Sequence, residues 1–258
     1  GEATKFAQRL LDSDKGYLAT VQFGSATTTG DAEGEVTCRS DLVLTAEQVT
    51  AALQTFIGPI RQTPPAYSAL KIAGKPAYEY ARAGQTVEIA SREVTIHRIA
   101  LLAFDEAGQR AELEVLCSKG TYIRSLAVDL AESVGSAGHL AGLRRTRTGG
   151  FSLCDARPLD DWMEASDEQR LSWLLPTDSL VADLPQVVLD ASATADLCNG
   201  KVVNIGPQQI AAREGSDALT SPVCRVYTEL ERQAGRFIGL ARCSEHGILR
   251  VERLLSTK

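Results

Sequence analysis

Apolar positions recur in two rhythms along this chain. From Tyr17 to Phe23 they fall on every second residue, the period of a strand with one buried face. Residues 92–104 and 109–117 form two further strand candidates joined across DEAG. The second alternates through Glu112-Leu113-Glu114-Val115, as a hairpin arm does. After Thr121 the spacing lengthens. Ile123, Leu126, Leu130 and Val134 make one helical stripe that ends at Gly135. Thr45-Ala-Glu-Gln48 has the form of a capping box and opens a helix with Val49, Leu53, Phe56 and Ile57 on one face, stopped by Gly58-Pro59.

The remainder is less regular. Ala3 to Leu11 reads as a helix tail, and TTTGDAEGE as a polar loop. Phe151 to Leu153 is too short to assign. Trp162 to Leu175 predicts one or two short helices. Beyond Pro185 short strands are predicted at 186–189, 201–204, 223–229, 236–243 and 248–254, with a helix from Ala191 to Leu197. The pattern predicts an α+β fold: a main domain over residues 1–183 and a small β-rich domain over 184–258.

Composition narrows the class. With 258 residues the chain can bury a full core, and no apolar run is long enough to span a membrane. The N-terminal stretch has no apolar signal core and opens in mid-pattern, as if something preceded it. Six scattered cysteines without a C-x-x-C pair, and three unclustered histidines, point to reduced thiols in the cytoplasm and no metal site. Net charge is −6, but unevenly spread. Lys+Arg against Asp+Glu is 4 to 8 in residues 1–60, 12 to 9 in 61–150, 2 to 8 in 151–183 and 9 to 8 in 184–258. The middle therefore remains open to a polyanion. LRRTRTGG, with Arg144, Arg145 and Arg147, is its sharpest basic knot, read either as a phosphate-binding patch or as a solvated basic turn.

RQTPPAYSALKIAGKPAYEYARAG carries three prolines, three tyrosines and four cations against one acid. Interleaved Arg, Lys and Tyr suit phosphate pairing and base stacking. The alternative is a flap whose tyrosines pack on the domain. No P-loop, dinucleotide fingerprint, zinc-protease helix or nucleophile elbow is present, and His97, His139 and His246 read as structural or surface residues. Arg124 is the anomaly: a cation in the first turn of a helix, where the dipole disfavours it. A carboxylate set against it would explain its place, either as a structural ion pair or as an acid kept ionised for chemistry.

Taken in order, GEATKFAQRLLDSDKGY, TTTGDAEGE, PPAYSALKIAGKPAYEYARAG, CSKGTYIRSLAVDL and SAGHLAGLRRTRTGGF resemble the TruB-type tRNA pseudouridine synthases, which modify uridine 55 of the T-loop. The resemblance spans the chain and weakens after about residue 155. It implies a mixed, largely antiparallel central sheet with flanking helices, a C-terminal PUA-like RNA-binding domain, and cofactor-free, metal-free isomerisation by a cytoplasmic enzyme taken as a monomer. It assigns Tyr17 to stacking on the target base, Tyr122 to a second active-site tyrosine, Arg124 to pairing with the catalytic aspartate, and Leu143 to an apolar wall. It places tRNA contacts in residues 61–86, with Tyr67, Lys71, Lys75, Tyr78 and Arg82, beside the basic knot Arg144, Arg145 and Arg147. The family's nucleophilic aspartate belongs to a G-x-L-D-P-x-A-[ST]-G motif just upstream of GEATKF. Residues 1–258 contain no such motif. The chain alone is therefore expected to be inactive, being truncated, cleaved or completed by a separate peptide, with Arg124's partner outside it. A non-catalytic RNA-binding or RNA-folding module is the alternative.

Overall fold

The computed structural model describes residues 1–206, 210–211, 222–230 and 233–256. Its elements follow in chain order: α1 (Thr4–Ala7), α2 (Arg9–Asp12), β1 (Lys15–Phe23), β2 (Ser25–Thr27), β3 (Val36–Arg39), α3 (Ala46–Leu53), β4 (Gly58–Gln62), β5 (Lys71–Ile72), β6 (Lys75–Pro76), α4 (Ala77–Arg82), β7 (Arg92–Asp105), β8 (Arg110–Cys117), α5 (Ile123–Ser133), β9 (Gly138–Thr148) and β10 (Phe151–Ser152). Then come α6 (Leu159–Glu164), α7 (Asp167–Trp173), β11 (Gln186–Leu189), α8 (Ala191–Cys198), β12 (Val203–Asn204), β13 (Ile210–Ala211), β14 (Val223–Leu230), β15 (Gln233–Cys243) and β16 (Ile248–Leu254). Two compact units divide the chain: Asp12–Ala156, and Gly1–Leu11 together with Arg157–Lys258.

The first unit is built on a six-stranded sheet in the order β10-β9-β1-β8-β7-β4, all antiparallel. Alternation along β1 buries Tyr17, Ala19, Val21 and Phe23 on one face and leaves Leu18 exposed. α5 and α3 supply the apolar cover. Leu126, Ala127, Leu130 and Ala131 of α5 and Val49 and Leu53 of α3 join Leu113, Val115 and Ile96 in one core. Leu126 and Leu130 are almost fully buried, so each contributes roughly 1.5–3 kcal/mol over an exposed position. The Thr45 capping box forms, with Gln48 bonded back to the Thr45 N–H at 2.9 Å.

Besides short pieces such as β2, β3, β5 and β6, two longer strands of the main sheet escaped the pattern reading. β4 contains Gly58-Pro59, the expected helix stop; a proline is tolerated because β4 is the sheet edge. β9 runs through the basic knot, so Arg144, Arg145 and Arg147 lie on a strand and not on a turn. Its register against β1 shifts twice, between Gly16 and Tyr17 and between Thr20 and Val21, which breaks the period-two alternation that would have revealed it.

The second unit holds a sheet in the order β12-β16-β15-β14-β11-β13, with β11 and β14 parallel. Val187, Leu189, Leu197, Val226 and Leu249 form its core with α8. Phe6 belongs to this unit, where it packs against Phe237 with ring centroids 5.4 Å apart and the rings tilted by 59°. The one or two short helices expected from Trp162 to Leu175 are two, α6 and α7, because a Ser166 capping box restarts the chain.

Candidate active site

The registers bring one set of strand ends together. Gln62 pairs with Arg92, Ile96 with Cys117, Cys117 with Lys15, and Lys15 with Thr148. The loop from Ser118 to Tyr122 leaves this end and feeds α5, so the start of α5 belongs to it. Tyr17, Tyr122 and Arg124 thus derive from neighbouring ends of β1, β8 and α5.

Arg124 is the node. Its Nη1 lies 3.0 Å from Asp31 Oδ2 and donates to the Thr29 carbonyl at 3.3 Å; its Nη2 donates to the Tyr67 carbonyl at 2.7 Å. One guanidinium therefore joins α5, the TTTGDAEGE loop and the start of the tyrosine-rich segment. Both side chains of the pair are about one-quarter exposed, at 24% each. The expectation placed Arg124's carboxylate partner outside residues 1–258; the structure supplies Asp31.

Local chemistry explains why Asp31 stands there. Thr29 Oγ1 donates to Asp31 Oδ1 at 2.6 Å, and the Glu33 N–H reaches the same oxygen at 3.2 Å. Thr27 Oγ1 donates to the Asp31 carbonyl at 2.6 Å. Gly30, at φ +73°, makes the left-handed turn that lets Thr29 O and the Asp31 carboxylate face the same arginine. Backbone bonds from Leu140 to Gly30 and from Ala32 to Leu140 pin the loop to β9. The sequence signal was present: Thr and Asp in TTTGD are the residue types that hydrogen-bond locally in turns. Its partner, 93 positions away, was not legible.

Tyr17 is buried on β1, with the Arg145 guanidinium 5.6 Å from its ring centroid. Leu143 faces Ala19 in register and is 50% exposed, an apolar side chain left open beside Tyr17. The bulge at Thr146 splits the basic knot. Arg145 pairs with Tyr17 and Leu143 with Ala19, on one face. Arg144 pairs with Leu18 and Arg147 with Gly16, on the other. All three arginines are exposed. Burial, together with Arg145 nearby, holds the Lys15 amine below its usual range.

Tyr122 is the N-cap residue of α5, half-buried, with the Arg92 guanidinium 5.0 Å above its ring. In the segment 61–86, Lys71 and Lys75 stand exposed on the β5–β6 hairpin, whose turn uses Ala73 and Gly74 at positive φ. Tyr80 donates to the Ile72 carbonyl at 3.2 Å and so braces that hairpin. Tyr78 carries Arg82 at 5.2 Å from its ring. Part of the aromatic content thus packs internally while the lysines face outward. Among the described residues, no three His, Cys, Asp or Glu side chains are grouped to hold a metal ion, and no helix is long and apolar enough to cross a membrane.

This architecture is that of the pseudouridine synthases. A Cbf5–Nop10–Gar1 complex superposes on 98% of this chain and 70% of its own at TM-score 0.68 and 22% identity. An H/ACA RNP bound to a substrate RNA containing 2′-deoxyuridine does so over 100% and 70% at 0.67 and 20%. Three family models match consecutively: the TruB family pseudouridylate synthase N-terminal domain over residues 1–123, the tRNA pseudouridylate synthase B C-terminal domain over 124–182, and the pseudouridine synthase II TruB C-terminal model over 185–255. The chain is 47% identical to tRNA pseudouridine synthase B of Cupriavidus metallidurans, over 99% of this chain and 79% of that protein. It is 45% identical to that of Aromatoleum aromaticum, over 100% and 78%. The chain belongs to the TruB family of tRNA pseudouridine synthases, which are isomerases.

Proposed function

We propose that the chain provides the base-binding and arginine-bearing part of an enzyme that converts uridine 55 in the T-loop of tRNA to pseudouridine. The observation that carries this reading is the Arg124–Asp31 pair, held half-buried where the helix-start arginine of TYIR meets the TTTGD loop. Tyr17 stacks on the target base, Leu143 walls it on the same face, Tyr122 lines the site, and Arg124 orients and stabilises the nucleophilic carboxylate. Asp31 fixes Arg124 from behind. Its two carboxylate oxygens are already engaged by Arg124, Thr29 and the Glu33 N–H, which suits orientation better than attack.

The chemistry balances within the substrate. The C1′–N1 bond breaks, the uracil turns, C1′–C5 forms, and C5 loses the proton that balances the one gained at N1. No electrons are exchanged, so no redox cofactor is required. The nucleophile is an aspartate of a G-x-L-D-P-x-A-[ST]-G segment not contained in residues 1–258. These residues alone bind tRNA without isomerising it. Lys71, Lys75, Tyr78 and Arg82 hold the T-stem and T-loop, with Arg145 beside the base and residues 184–258 adding a PUA-like RNA contact.

Carbodiimide labelling with primer extension on a tRNA transcript tests this. The chain joined to the aspartate-bearing segment is expected to mark position 55 and no other uridine. An unmarked position 55 overturns the function. Marking by residues 1–258 alone overturns the assignment of the nucleophile. Salt-dependent tRNA binding that survives Arg124→Ala shows the binding surface to be separable from the chemistry.

A further inference from the structure

Tyr122 caps α5 without a capping side chain, at φ −100° and ψ 111°. An N-cap normally offers a side-chain oxygen to the orphan N–H groups of the first turn. Here the restraint comes from another strand. Gln62, the last residue of β4, is 1% exposed. Its Oε1 accepts the Tyr122 N–H at 2.7 Å, and its Nε2 donates to the Tyr122 carbonyl at 3.0 Å. A primary amide presents one acceptor and one donor side by side, the complement of a peptide's N–H and C=O. Glutamate and methionine lack one or both.

The residue directly opposite Gln62 in the sheet is Arg92. Its guanidinium covers the Tyr122 ring, and its Nη2 donates to the Gly120 carbonyl. Gly120, at φ +79°, leaves room for it: a Cβ there would lie 3.3 Å from the guanidinium carbon. One residue beyond Gln62, the Thr63 carbonyl accepts from Ser125 Oγ at 2.9 Å. A single rung of the β4–β7 ladder thus grips the backbone of Tyr122 with one residue and its ring with the other, and the next residue ties the first turn of α5. Arg124 lies between these ties.

We propose that Gln62 and Arg92 are positioning residues for the isomerisation, setting Tyr122 and, through the start of α5, Arg124. The proposal rests on the reading of Tyr122 and Arg124 as site residues. A misplacement of about 1 Å in a reacting constellation costs on the order of 100-fold in rate, whereas phosphate contacts, which dominate RNA affinity, lie elsewhere.

The test uses the isomerisation-competent enzyme with Gln62→Met, which keeps length and volume and removes both hydrogen bonds, and with Arg92→Lys, which keeps charge and loses the planar stack. Amide hydrogen exchange at Tyr122 is expected to quicken at least about tenfold in Gln62→Met as its acceptor is lost. Turnover is expected to fall about tenfold or more in both variants, with KM and tRNA affinity within about threefold. Turnover within twofold of wild type in a folded variant whose Tyr122 amide has lost protection overturns the proposal. So does a parallel loss of kcat, affinity and thermal midpoint, which marks a merely structural role. Should Gln62→Met not fold, Arg92→Lys decides on the same kcat-against-KM criterion. A wild-type enzyme with no isomerase activity overturns the functional reading instead, and the exchange result then still reports on the clamp.

Discussion

Asp31 and Arg124, 93 positions apart in the chain, meet with Oδ2 and Nη1 at 3.0 Å. The arginine disfavoured by the helix dipole is thereby neutralised by a carboxylate that is itself fixed by Thr29 and by the Glu33 N–H. Asp31→Asn keeps the shape of the loop and removes the charge. In the competent enzyme it is expected to lower turnover about 100-fold while leaving tRNA affinity within about threefold, because it frees the guanidinium without touching a phosphate contact. Arg124→Lys is expected to be no better, since an ammonium cannot span Asp31 and the Tyr67 carbonyl as the planar fork does. Single-turnover rates beside filter-binding affinities check both, and near-normal turnover in Asp31→Asn would sink the idea.

Tyr17→Leu separates stacking from binding. A base stacked on an aromatic ring is worth about 1–3 kcal/mol, a small part of a large phosphate interface. Turnover is expected to fall far more than affinity. Equal losses in the two quantities would count against a stacking role.

The split of the basic knot predicts an asymmetry. Arg145 shares the face of Tyr17 and Leu143, whereas Arg144 and Arg147 share the face of Leu18 and Gly16. Arg145→Ala is expected to flatten the slope of log affinity against log salt by about 0.7–0.9, one phosphate contact, and Arg144→Ala and Arg147→Ala to leave it unchanged. Three equal effects would mean that the RNA wraps the strand edge.

In the second unit, Tyr227 is pushed up to about 12 by burial and by its hydrogen bond to Asp178. Absorbance titration at the phenolate band is expected to show a component ionising there that is absent in Tyr227→Phe. The sign follows from linkage. The folded state holds this proton more tightly than an unfolded tyrosine near 10, so the contribution to stability is complete below about pH 10 and is lost as pH rises toward 12. Denaturant midpoints for wild type and Tyr227→Phe at pH 9 and pH 11 check this, and a Tyr227 that ionises near 10 would refute it.

Much of the scaffold was legible because its elements carry unbroken periods. The stripe Ile123, Leu126, Leu130 appears as α5, the Thr45 capping box as α3, and the alternation after Tyr17 as β1. Where a local irregularity interrupts the period, reading failed. Two bulges hid β9, and an edge-strand proline disguised β4 as a helix stop. Family-specific motifs marked Tyr17, Tyr122 and Arg124, but TTTGDAEGE, a polar loop that shares the resemblance, gave Asp31 no role, and Gln62 carried no signal.

By itself, the sequence determined the local elements, the anomaly of a cation at a helix start, and the family that the motifs define. Each of these is written in neighbouring residues, through backbone propensity, side-chain period and capping chemistry. Only the tertiary structure decided what Arg124 pairs with, which face each arginine of the basic knot presents, and that a β4 amide grips Tyr122. Those are long-range facts. They depend on strand register and on two bulges that turn side chains over, and no local pattern encodes the loop, strand and helix that pairing places side by side.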